Sequence, residues 1–178
     1  MTSTTKDFHF KSFSILGGDS GMPVSTDGVL LGAWAQVTEA QTILDIGTGT
    51  GLLALMCAQR NPDATICGVD IDSQAITAAT INFEQSEWSQ RLQVVKSDIN
   101  EFSLTHSNTF ESIVCNPPYF NSGAQSATKA RATARHTDTL SHPALLSACQ
   151  QLLSPNGNAS FILPTVEAEQ FIQQAKIN

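Results

Sequence analysis

The sequence predicts an α/β fold in which helices cover both faces of a mostly parallel β-sheet. Short apolar strands alternate with helical segments along most of the 178 residues, which is the pattern of a parallel sheet. The first strand ends in a Gly-rich loop that opens a helix, and such strand ends are common ligand sites. Because 41% of the residues are hydrophobic and only 14% are charged, the chain can build the core of one domain.

The N-terminal segment before the first core strand, residues 1–40 and called the lead below, is predicted to hold two short elements. Phenylalanines within residues 8–13 indicate an extended segment, and the glycines within residues 17–21 predict a turn after it. Thr26 or Asp27 is expected to cap a helix that continues to Trp34.

Five core strands follow, each an apolar run bounded by polar, Gly or Pro residues. They are Thr42–Ile46, Thr65–Asp70, Leu92–Lys96, Ser112–Cys115 and Ala159–Leu163. The helices between them are predicted from capping residues and prolines. One runs from Leu52 to a stop at Asn61 and Pro62, one is capped by Asp72 or Ser73, one opens at His142 and Pro143, and the last is capped by Thr165.

Composition excludes several classes of protein. No apolar run reaches 18 residues, so no transmembrane helix is predicted, and the start lacks the layout of a secretory signal, which favours a cytoplasmic protein. The histidines show no zinc-ligand spacing, so we expect no metal site. The cysteines form no C-x-x-C pair and have apolar neighbours, which predicts buried, reduced thiols at Cys57, Cys67, Cys115 and Cys149.

The loop from Gly47 through Gly49 to Gly51 predicts a ligand site at the end of the first strand. Glycines let the backbone turn sharply and approach a ligand closely. A dinucleotide-binding loop needs the spacing G-x-G-x-x-G, but position 52 is Leu. Asp45 lies two residues before the loop, where its carboxylate would repel a pyrophosphate and would suit a cationic ligand with an amino-acid end.

Acidic residues also end the next two strands. Asp70, at the end of the second strand, can accept hydrogen bonds from both hydroxyls of a ribose. Asp98, after the third strand, stands where an adenine amino group could be recognised. Three acids at three consecutive strand ends favour a ligand site, whereas Asp72 is interpreted as a helix cap.

Two motifs in this order carry a family resemblance. The segment Asp45-Ile46-Gly47-Thr48-Gly49-Thr50-Gly51, followed by Asn116-Pro117-Pro118-Tyr119, resembles the class I, Rossmann-like methyltransferases that act on amino nitrogens. The match extends over most of residues 26–164 and implies S-adenosylmethionine as the cofactor. On this resemblance the cofactor-binding residues are Thr26, Asp27, Asp45, Gly47, Thr48, Gly49, Gly51, Asp70, Ile71, Asp98, Ile99 and Asn116.

The start of the chain narrows the resemblance to one group within the class I methyltransferases. Phe8-His9-Phe10-Lys11, together with Ser25-Thr26-Asp27-Gly28 and the residues up to Trp34, resembles the bacterial tRNA1(Val) adenine-N6 methyltransferases. Those enzymes modify the adenine next to the anticodon, at tRNA position 37, so the resemblance implies a tRNA anticodon loop as partner. It also implies that Thr26 and Asp27 close over the cofactor.

The four residues from Asn116 to Tyr119, called the tetrad below, suit methyl transfer to an exocyclic amine. The lone pair of such an amine on adenine is delocalised into the ring of the base. The side-chain oxygen of Asn116 and the carbonyl of Pro117 can accept the amino hydrogens, which favours localisation of the lone pair toward the methyl donor. Pro117 and Pro118 fix φ and offer no competing N–H. Tyr119 presents a ring for stacking on the base, and Phe120 can assist it. We therefore expect the catalytic residues to be Asn116, Pro117, Pro118 and Tyr119.

Charge distribution indicates where RNA could bind. The net charge of −7 argues against a broad nucleic-acid surface. Lys129, Arg131 and Arg135 nevertheless follow the tetrad and are placed to hold the phosphates of an RNA loop, with a solvated charge cluster as the alternative. Lys6 and Lys11 form a thinner basic group near the start.

Other functions stay open on the sequence alone. A glutamine-N5 protein methyltransferase shares the motif pair, but such enzymes usually carry a helical domain ahead of the sheet, and the first core strand already begins at Thr42. A guanine-N2 methyltransferase of ribosomal RNA is a nearer alternative. A nucleotide-binding oxidoreductase is disfavoured by Leu at position 52, and a catalytically silent cofactor-binding module is a further alternative.

We expect the chain to form one domain, 1–178. Its lead, 1–40, would comprise the extended segment and the cofactor-covering helix, and 41–178 would form a Rossmann-like core that is incomplete at the C-terminus. A class I sheet normally has seven strands, the last two as an antiparallel pair, whereas five core strands are assigned here. The expected fold is therefore this sheet with the last two strands absent, which leaves an edge uncovered.

Overall fold

Strands and helices alternate along the chain, as they do in the predicted α/β fold. The computed structural model describes residues 5–19, 23–117 and 140–177. The strands are β1 (Phe8–His9), β2 (Ser14–Ile15), β3 (Thr42–Ile46), β4 (Thr65–Asp70), β5 (Leu92–Lys96), β6 (Phe110–Cys115) and β7 (Leu153–Phe161). The helices are α1 (Thr26–Trp34), α2 (Leu52–Arg60), α3 (Ser73–Glu84), α4 (Ile99–Thr105), α5 (His142–Leu152) and α6 (Thr165–Ala175).

The longer strands form one parallel sheet in the order β5-β4-β3-β6-β7. The chain winds outward from β3 on one side through β4 and β5, and then crosses to β6 and β7 on the other side. The strand order therefore reverses between β3 and β6. At such a point the loops that follow the two strands diverge and leave a crevice at the carboxyl edge of the sheet.

Side chains alternate between the two faces of the sheet and form two hydrophobic clusters. In β3, Ile43 belongs to the first cluster, whereas Leu44 and Ile46 belong to the second. The first cluster joins the sheet to α1, α2, α3 and the β1-β2 hairpin, and the second joins it to α4, α5 and α6. Helices therefore cover both faces, as the sequence predicts. No helix of the described residues is long and apolar enough to span a membrane.

The cap of α1 differs from the predicted one. Ser25 has an extended backbone, with φ −105° and ψ 151°, and its Oγ accepts the N–H of Gly28 at 3.0 Å. The prediction that Thr26 or Asp27 caps this helix is wrong because both already lie within its first turn. Ser25 satisfies an N–H that would otherwise lack a helical partner.

Other elements also depart from the prediction. The extended segment near the start is a hairpin of β1 and β2, and β7 spans Leu153–Phe161, whereas the fifth strand was expected over Ala159–Leu163. β6 begins at Phe110, two residues before the expected start at Ser112. The last helix follows Pro164 without a side-chain cap, so the expected cap at Thr165 is wrong. Helix α4 was not predicted, because its seven residues are too short to show a clear helical period.

Asn61 joins the lead to the start of β4. It is 2% exposed, and its Nδ2 donates to the carbonyls of Val37 and Ala40 at 2.6 and 2.7 Å. Its Oδ1 accepts the N–H groups of Asp63 and Ala64, each at 3.0 Å. One buried amide thus satisfies four backbone groups, and it fixes the segment that connects α1 to the sheet.

We predict that Asn61→Ala destabilises the fold strongly. The substitution leaves four backbone groups without their side-chain partner, so the free energy of unfolding should fall by roughly 2–4 kcal/mol. Urea denaturation followed by circular dichroism measures this change. The control is Gln173→Ala on the exposed part of α6, which should change the value by less than about 0.5 kcal/mol. Equal stability of the two variants would contradict the role given to Asn61.

Candidate active site

The glycine loop between β3 and α2 has a backbone that favours glycine at three positions. Gly47, Gly49 and Gly51 have φ of 70°, 55° and 84°. A Cβ added at Gly47 would meet nothing within 4 Å, so the loop faces open space there. At Gly51 a Cβ would lie 2.5 Å from Cε1 of Phe83, so this glycine allows α3 to approach. A ligand can therefore approach the loop backbone closely at Gly47, as predicted for this loop.

Asp45 lies beneath the loop and is 0% exposed. Thr48 Oγ1 donates to its Oδ2 at 2.7 Å, and the N–H of Ala54 donates to the same oxygen at 3.1 Å. The second oxygen, Oδ1, is buried and has no hydrogen-bond partner among the described residues. In this conformation Asp45 supports the loop and the first turn of α2 from within, and it does not face the open space above them.

Burial raises the pKa of Asp45 from 3.8 to about 7. The two hydrogen bonds from Thr48 and Ala54 lower the pKa and offset part of this effect, and the negative charge of Asp70 raises it further. The charged form is disfavoured because the protein replaces water around the carboxylate and supplies donors to only one oxygen.

Asp70 connects the end of β4 to the glycine loop. The N–H of Gly49 donates to its Oδ2 and the N–H of Asp72 donates to its Oδ1, both at 2.9 Å. Asp70 is half-buried, and Ile71 beside it is 48% exposed. A carboxylate acceptor and an exposed apolar side chain therefore stand together next to the loop, where the sequence predicts a ribose site.

Asp98 and Asp72 have the same capping geometry. Oδ1 of Asp72 accepts the N–H of Gln74 at 2.9 Å, which confirms its interpretation as a helix cap. Oδ1 of Asp98 accepts the N–H of Asn100 at 2.8 Å and its Nδ2 at 2.9 Å, so this acid caps α4. Adenine recognition by Asp98 stays a prediction. Ile99 is 5% exposed and packs in the second hydrophobic cluster, so its side chain lies in the core.

Asn116 follows β6 directly beside the glycine loop. Ile46 pairs with Cys115 in the sheet, so the next residues of the two strands, Gly47 and Asn116, leave the sheet at the same level. Asn116 is half-buried and Pro117 is buried. The rest of the predicted tetrad and basic group lies outside the described residues, namely Pro118, Tyr119, Phe120, Lys129, Arg131 and Arg135.

Helix α1 brings the lead close to Asn116 and to the start of α2. A Cβ added at Gly28 would lie 3.0 Å from Cδ2 of Leu52 and 3.8 Å from Nδ2 of Asn116. The first turn of α1, which holds Thr26 and Asp27, is therefore packed between the start of α2 and the end of β6. The structure thus brings together parts of three of the four sequence segments on which the family resemblance rests, namely α1, the loop that opens α2, and Asn116.

Gly28 is a site residue that the sequence reasoning missed. The available signal was its spacing of four from Gly32, since glycines at i and i+4 lie on one face of a helix. A Cβ at Gly32 would overlap the side chain of Met56 in α2. Both glycines therefore let α1 pack closely on α2, and this packing places the first turn of α1 against Asn116.

The four cysteine thiols lie buried in the core of the protein. Cys57, Cys67, Cys115 and Cys149 are all free and buried, as predicted. Burial raises the pKa of Cys57 and Cys149 to about 12 and that of Cys67 to about 11, and it also raises the pKa of Cys115. Each side chain is therefore a protonated core residue near neutral pH. Within the ranges that the structure describes, no group of three or more His, Cys, Asp or Glu residues could hold a metal ion.

Comparison with known proteins assigns this fold, with its crevice between β3 and β6, to a family of enzymes. The family model of the methyltransferase small domain matches residues 26–162, and the chain belongs to this family. Its relatives include tRNA1(Val) (adenine(37)-N6)-methyltransferases. The protein of that name from Vibrio campbellii is 62% identical over 171 residues, which are 96% of this chain and 71% of the relative. One from Aliivibrio fischeri is 52% identical over 172 residues, which are 97% of this chain and 73% of the relative. The family resemblance drawn from the motifs is thereby confirmed.

Solved structures with low sequence identity share the fold. TYW2 of P. horikoshii in complex with MeSAdo superposes with a TM-score of 0.66 at 12% identity, covering 96% of this chain and 59% of that one. TrmN from Thermus thermophilus superposes with a TM-score of 0.60 at 20% identity, covering 83% of this chain and 40% of that one. These likenesses confirm the Rossmann-like methyltransferase architecture.

We predict that the carboxyl group of Asp45 makes the stability of the fold depend on pH. Its pKa is raised on folding from 3.8 to about 7, so the folded state binds the proton more tightly than the unfolded state does. The free energy of unfolding should therefore fall as the pH rises from about 4 to about 7, and this contribution should be constant above that range.

The measurement compares the protein with its Asp45→Asn variant by urea denaturation at several pH values. Between pH 5 and pH 8 the unmodified protein should lose about 2–3 kcal/mol more than the variant, at 1.36 kcal/mol per pKa unit. All other titrating groups are common to both proteins, so they cancel in the difference. Parallel stability curves would show that Asp45 does not titrate in this way.

Proposed function

We propose that this protein transfers a methyl group from S-adenosylmethionine to the exocyclic N6 of adenine 37 in tRNA1(Val). The observation that carries the proposal is the approach of Gly28 to Asn116 beside the open glycine loop, because it assembles one crevice from the three motif segments. The relatives named as tRNA1(Val) adenine-N6 methyltransferases, which are 52–62% identical, support the choice of substrate.

The residues of the crevice fit S-adenosylmethionine. Open space at Gly47 admits the amino-acid end of the cofactor against the loop backbone, and Asp70 supplies carboxylate oxygens for the ribose hydroxyls. Ile71 offers an exposed apolar side chain for the adenine ring, and Asp98 lies at the end of the neighbouring strand. When bound, the cofactor supplies a methyl group on a positively charged sulfur, which makes this carbon electrophilic.

Asn116 is suited to prepare the amine. Its side-chain oxygen and the carbonyl of Pro117 would accept the two amino hydrogens, which directs the nitrogen lone pair toward the methyl carbon. Transfer forms the N6–C bond, breaks the C–S bond and releases one proton from the nitrogen. Alignment of the two reacting atoms supplies much of the rate, so a strong base is not required in this arrangement.

The lead completes the crevice in this proposal. Because α1 is packed against α2 at Gly28 and Gly32, Thr26 and Asp27 would cover the cofactor from the side of Asn116. Tyr119 and Phe120 would stack on the adenine once it has left its loop, and Lys129, Arg131 and Arg135 would bind nearby phosphates. These five residues lie outside the described ranges and rest on the sequence argument alone.

We also propose that residues 1–178 act as a single methyltransferase domain in the cytoplasm, where tRNA is modified. The packing of the lead in the same hydrophobic cluster as α2 and α3 supports the assignment of one domain. The function as a whole is tested by mass mapping of methylated nucleosides in tRNA from cells with and without the protein. Loss of N6-methyladenosine at position 37 is expected, and an unchanged tRNA with altered protein or ribosomal RNA would overturn the proposal.

We predict that Asn116→Ala impairs methyl transfer far more than cofactor binding. Loss of the acceptor oxygen should lower kcat by roughly 100-fold or more, whereas the Kd for S-adenosylmethionine, to which Asn116 would contribute one of several contacts, should rise by less than about 10-fold. Labelled methyl incorporation into unmodified tRNA measures the first, and isothermal titration calorimetry measures the second. Asn116→Asp retains an acceptor oxygen and should keep more activity than Asn116→Ala. Full activity of the alanine variant would exclude the mechanism.

We predict that Asp70→Ala weakens cofactor binding. Removing an acceptor of two hydroxyl hydrogen bonds should raise the Kd by about 10- to 100-fold. Asp72→Ala is a matched control, because this acid lies two residues away and caps α3 through Gln74. Calorimetry should show a large effect for the first variant and a small one for the second. Similar losses in both variants would assign Asp70 to the local backbone alone.

A further inference from the structure

Helix α3 supports the second half of the glycine loop. Two carboxyl groups, one in β3 and one at the end of β4, hold residues 47–49 of this loop. Thr50 and Gly51 then complete the turn into α2, and both are buried. The N–H of Gly51 donates to the carbonyl of Thr48 at 2.8 Å, which closes the turn. The contacts of Thr50 and Gly51 with α3 therefore decide how the loop enters the helix.

Asn82 of α3 holds the carbonyl of Thr50. It is 2% exposed, and its Nδ2 donates to this carbonyl at 2.9 Å. The carbonyl of Thr50 and the N–H of Gly51 belong to the same peptide group, which is planar and rigid. A hydrogen bond to the carbonyl therefore also orients the N–H that closes the turn.

Leu16 orients the amide of Asn82. The N–H of Leu16 donates to Oδ1 of Asn82 at 2.9 Å, and the carbonyl of Leu16 accepts from Nδ2 at 3.1 Å. The backbone of one residue thus offers both a donor and an acceptor to the amide, which determines which end of the amide carries the N–H groups. The remaining N–H of Nδ2 is then directed at Thr50.

Phe83 supports the next residue of the loop. It is 3% exposed and belongs to the first hydrophobic cluster. A Cβ added at Gly51 would lie 2.5 Å from Cε1 of Phe83, so the ring lies directly against the backbone of Gly51. Two neighbouring residues of α3 therefore contact two neighbouring residues of the loop, one by a hydrogen bond and one by packing.

We propose that Asn82 and Phe83 are positioning residues for the cofactor: they hold Thr50 and Gly51 so that the glycine loop keeps the conformation that admits S-adenosylmethionine. This inference rests on the proposed function, which assigns this cofactor to the loop. Both side chains are buried, so they would act through the loop backbone and not by contact with the cofactor. A loop that is already ordered loses less conformational entropy when its ligand binds, so its affinity is higher.

The first test measures cofactor binding to the Asn82→Ala variant by calorimetry, at a temperature at which circular dichroism shows the variant to be folded. The Kd for S-adenosylmethionine should rise about 10-fold. The KM for the cofactor should rise by a similar factor while kcat falls by less than about 3-fold, because the loss concerns binding and not the reacting atoms. An unchanged Kd in the folded variant would overturn the inference.

Asn61→Ala is a matched control for the loss of a buried amide. Asn61 is also 2% exposed and also joins the lead to the body of the protein, but Asp63 and Ala64, which it binds, precede β4 at the opposite edge of the sheet. This variant should lower Tm, as Asn82→Ala does, and leave the Kd for S-adenosylmethionine within about 2-fold of that of the unmodified protein. Equal increases in Kd would overturn the inference, because affinity would then follow the stability of the fold.

Phe83→Leu is a milder test of the same helix. It keeps an apolar side chain in the core, so the fold should be retained even if Asn82→Ala does not fold. Loss of the ring against Gly51 should raise the Kd for S-adenosylmethionine by about 3-fold or more. A Kd equal to that of the unmodified protein would overturn the inference.

Amide hydrogen exchange, followed by mass spectrometry, tests the positioning without the cofactor. Residues 47–51 should exchange roughly 10-fold faster in Asn82→Ala than in Asn61→Ala, because only the first variant loses the bond to the loop. Equal exchange of this segment in both variants would overturn the inference. If the unmodified protein does not bind S-adenosylmethionine, the proposed function fails, and the exchange rates still show whether α3 holds the loop.

Discussion

The hydrogen bonds of the buried Asp45 carboxyl group are the interactions on which the crevice at the carboxyl edge of the sheet depends. This carboxyl group receives hydrogen bonds from the hydroxyl of Thr48 in the glycine loop and from the N–H of Ala54 in the first turns of α2. One side chain of β3 therefore fixes both the loop and the helix that follows it. Burying this carboxyl group is unfavourable, as its raised pKa shows, so the protein accepts a loss of stability to hold the loop in place.

The position of the loop determines what the neighbouring strands can contribute. The N–H groups of Gly47 and Thr48 donate to the carbonyl of Val69 in β4, at 2.8 and 3.0 Å, and Gly49 donates to Asp70 one residue further on. The end of β4 is thereby tied to the loop at three points. Asp70 and the exposed Ile71 then lie beside the open space at Gly47, so a single arrangement of the loop orients the groups that suit a nucleoside.

Local sequence signals were sufficient to predict most of the fold. Apolar runs marked the five parallel strands, and the capping role of Asp72 followed from its place before an apolar helix. The errors also have local causes. Ser25 is followed by two further residues that favour caps, and the prediction placed the cap at one of these, one or two residues too late. Asp98 has a capping role that its place at a strand end obscured.

The parts of the site that sequence reasoning missed depend on contacts between distant segments. Asn82 binds Leu16, which lies 66 residues earlier, and also Thr50, which lies 32 residues earlier. Gly28 is required because Leu52 and Asn116 approach it from two other elements. No periodicity or spacing within one segment reports such contacts. A buried Asn on the inner face of a predicted helix is nevertheless a usable signal, because its amide must find partners outside that helix.

Through these long-range contacts the lead becomes part of the structure around the crevice. Gly28 brings α1 to Asn116 on one side, and Asn82 joins the segment after β2 to the carbonyl of Thr50 on the other. The lead is thus in contact with the start of α2 and the end of β6 through α1, and it is joined to the glycine loop through Asn82 of α3. A single buried amide can hold the two segments together because its oxygen and its nitrogen bind backbone groups of both, which leaves none of these groups buried without a partner.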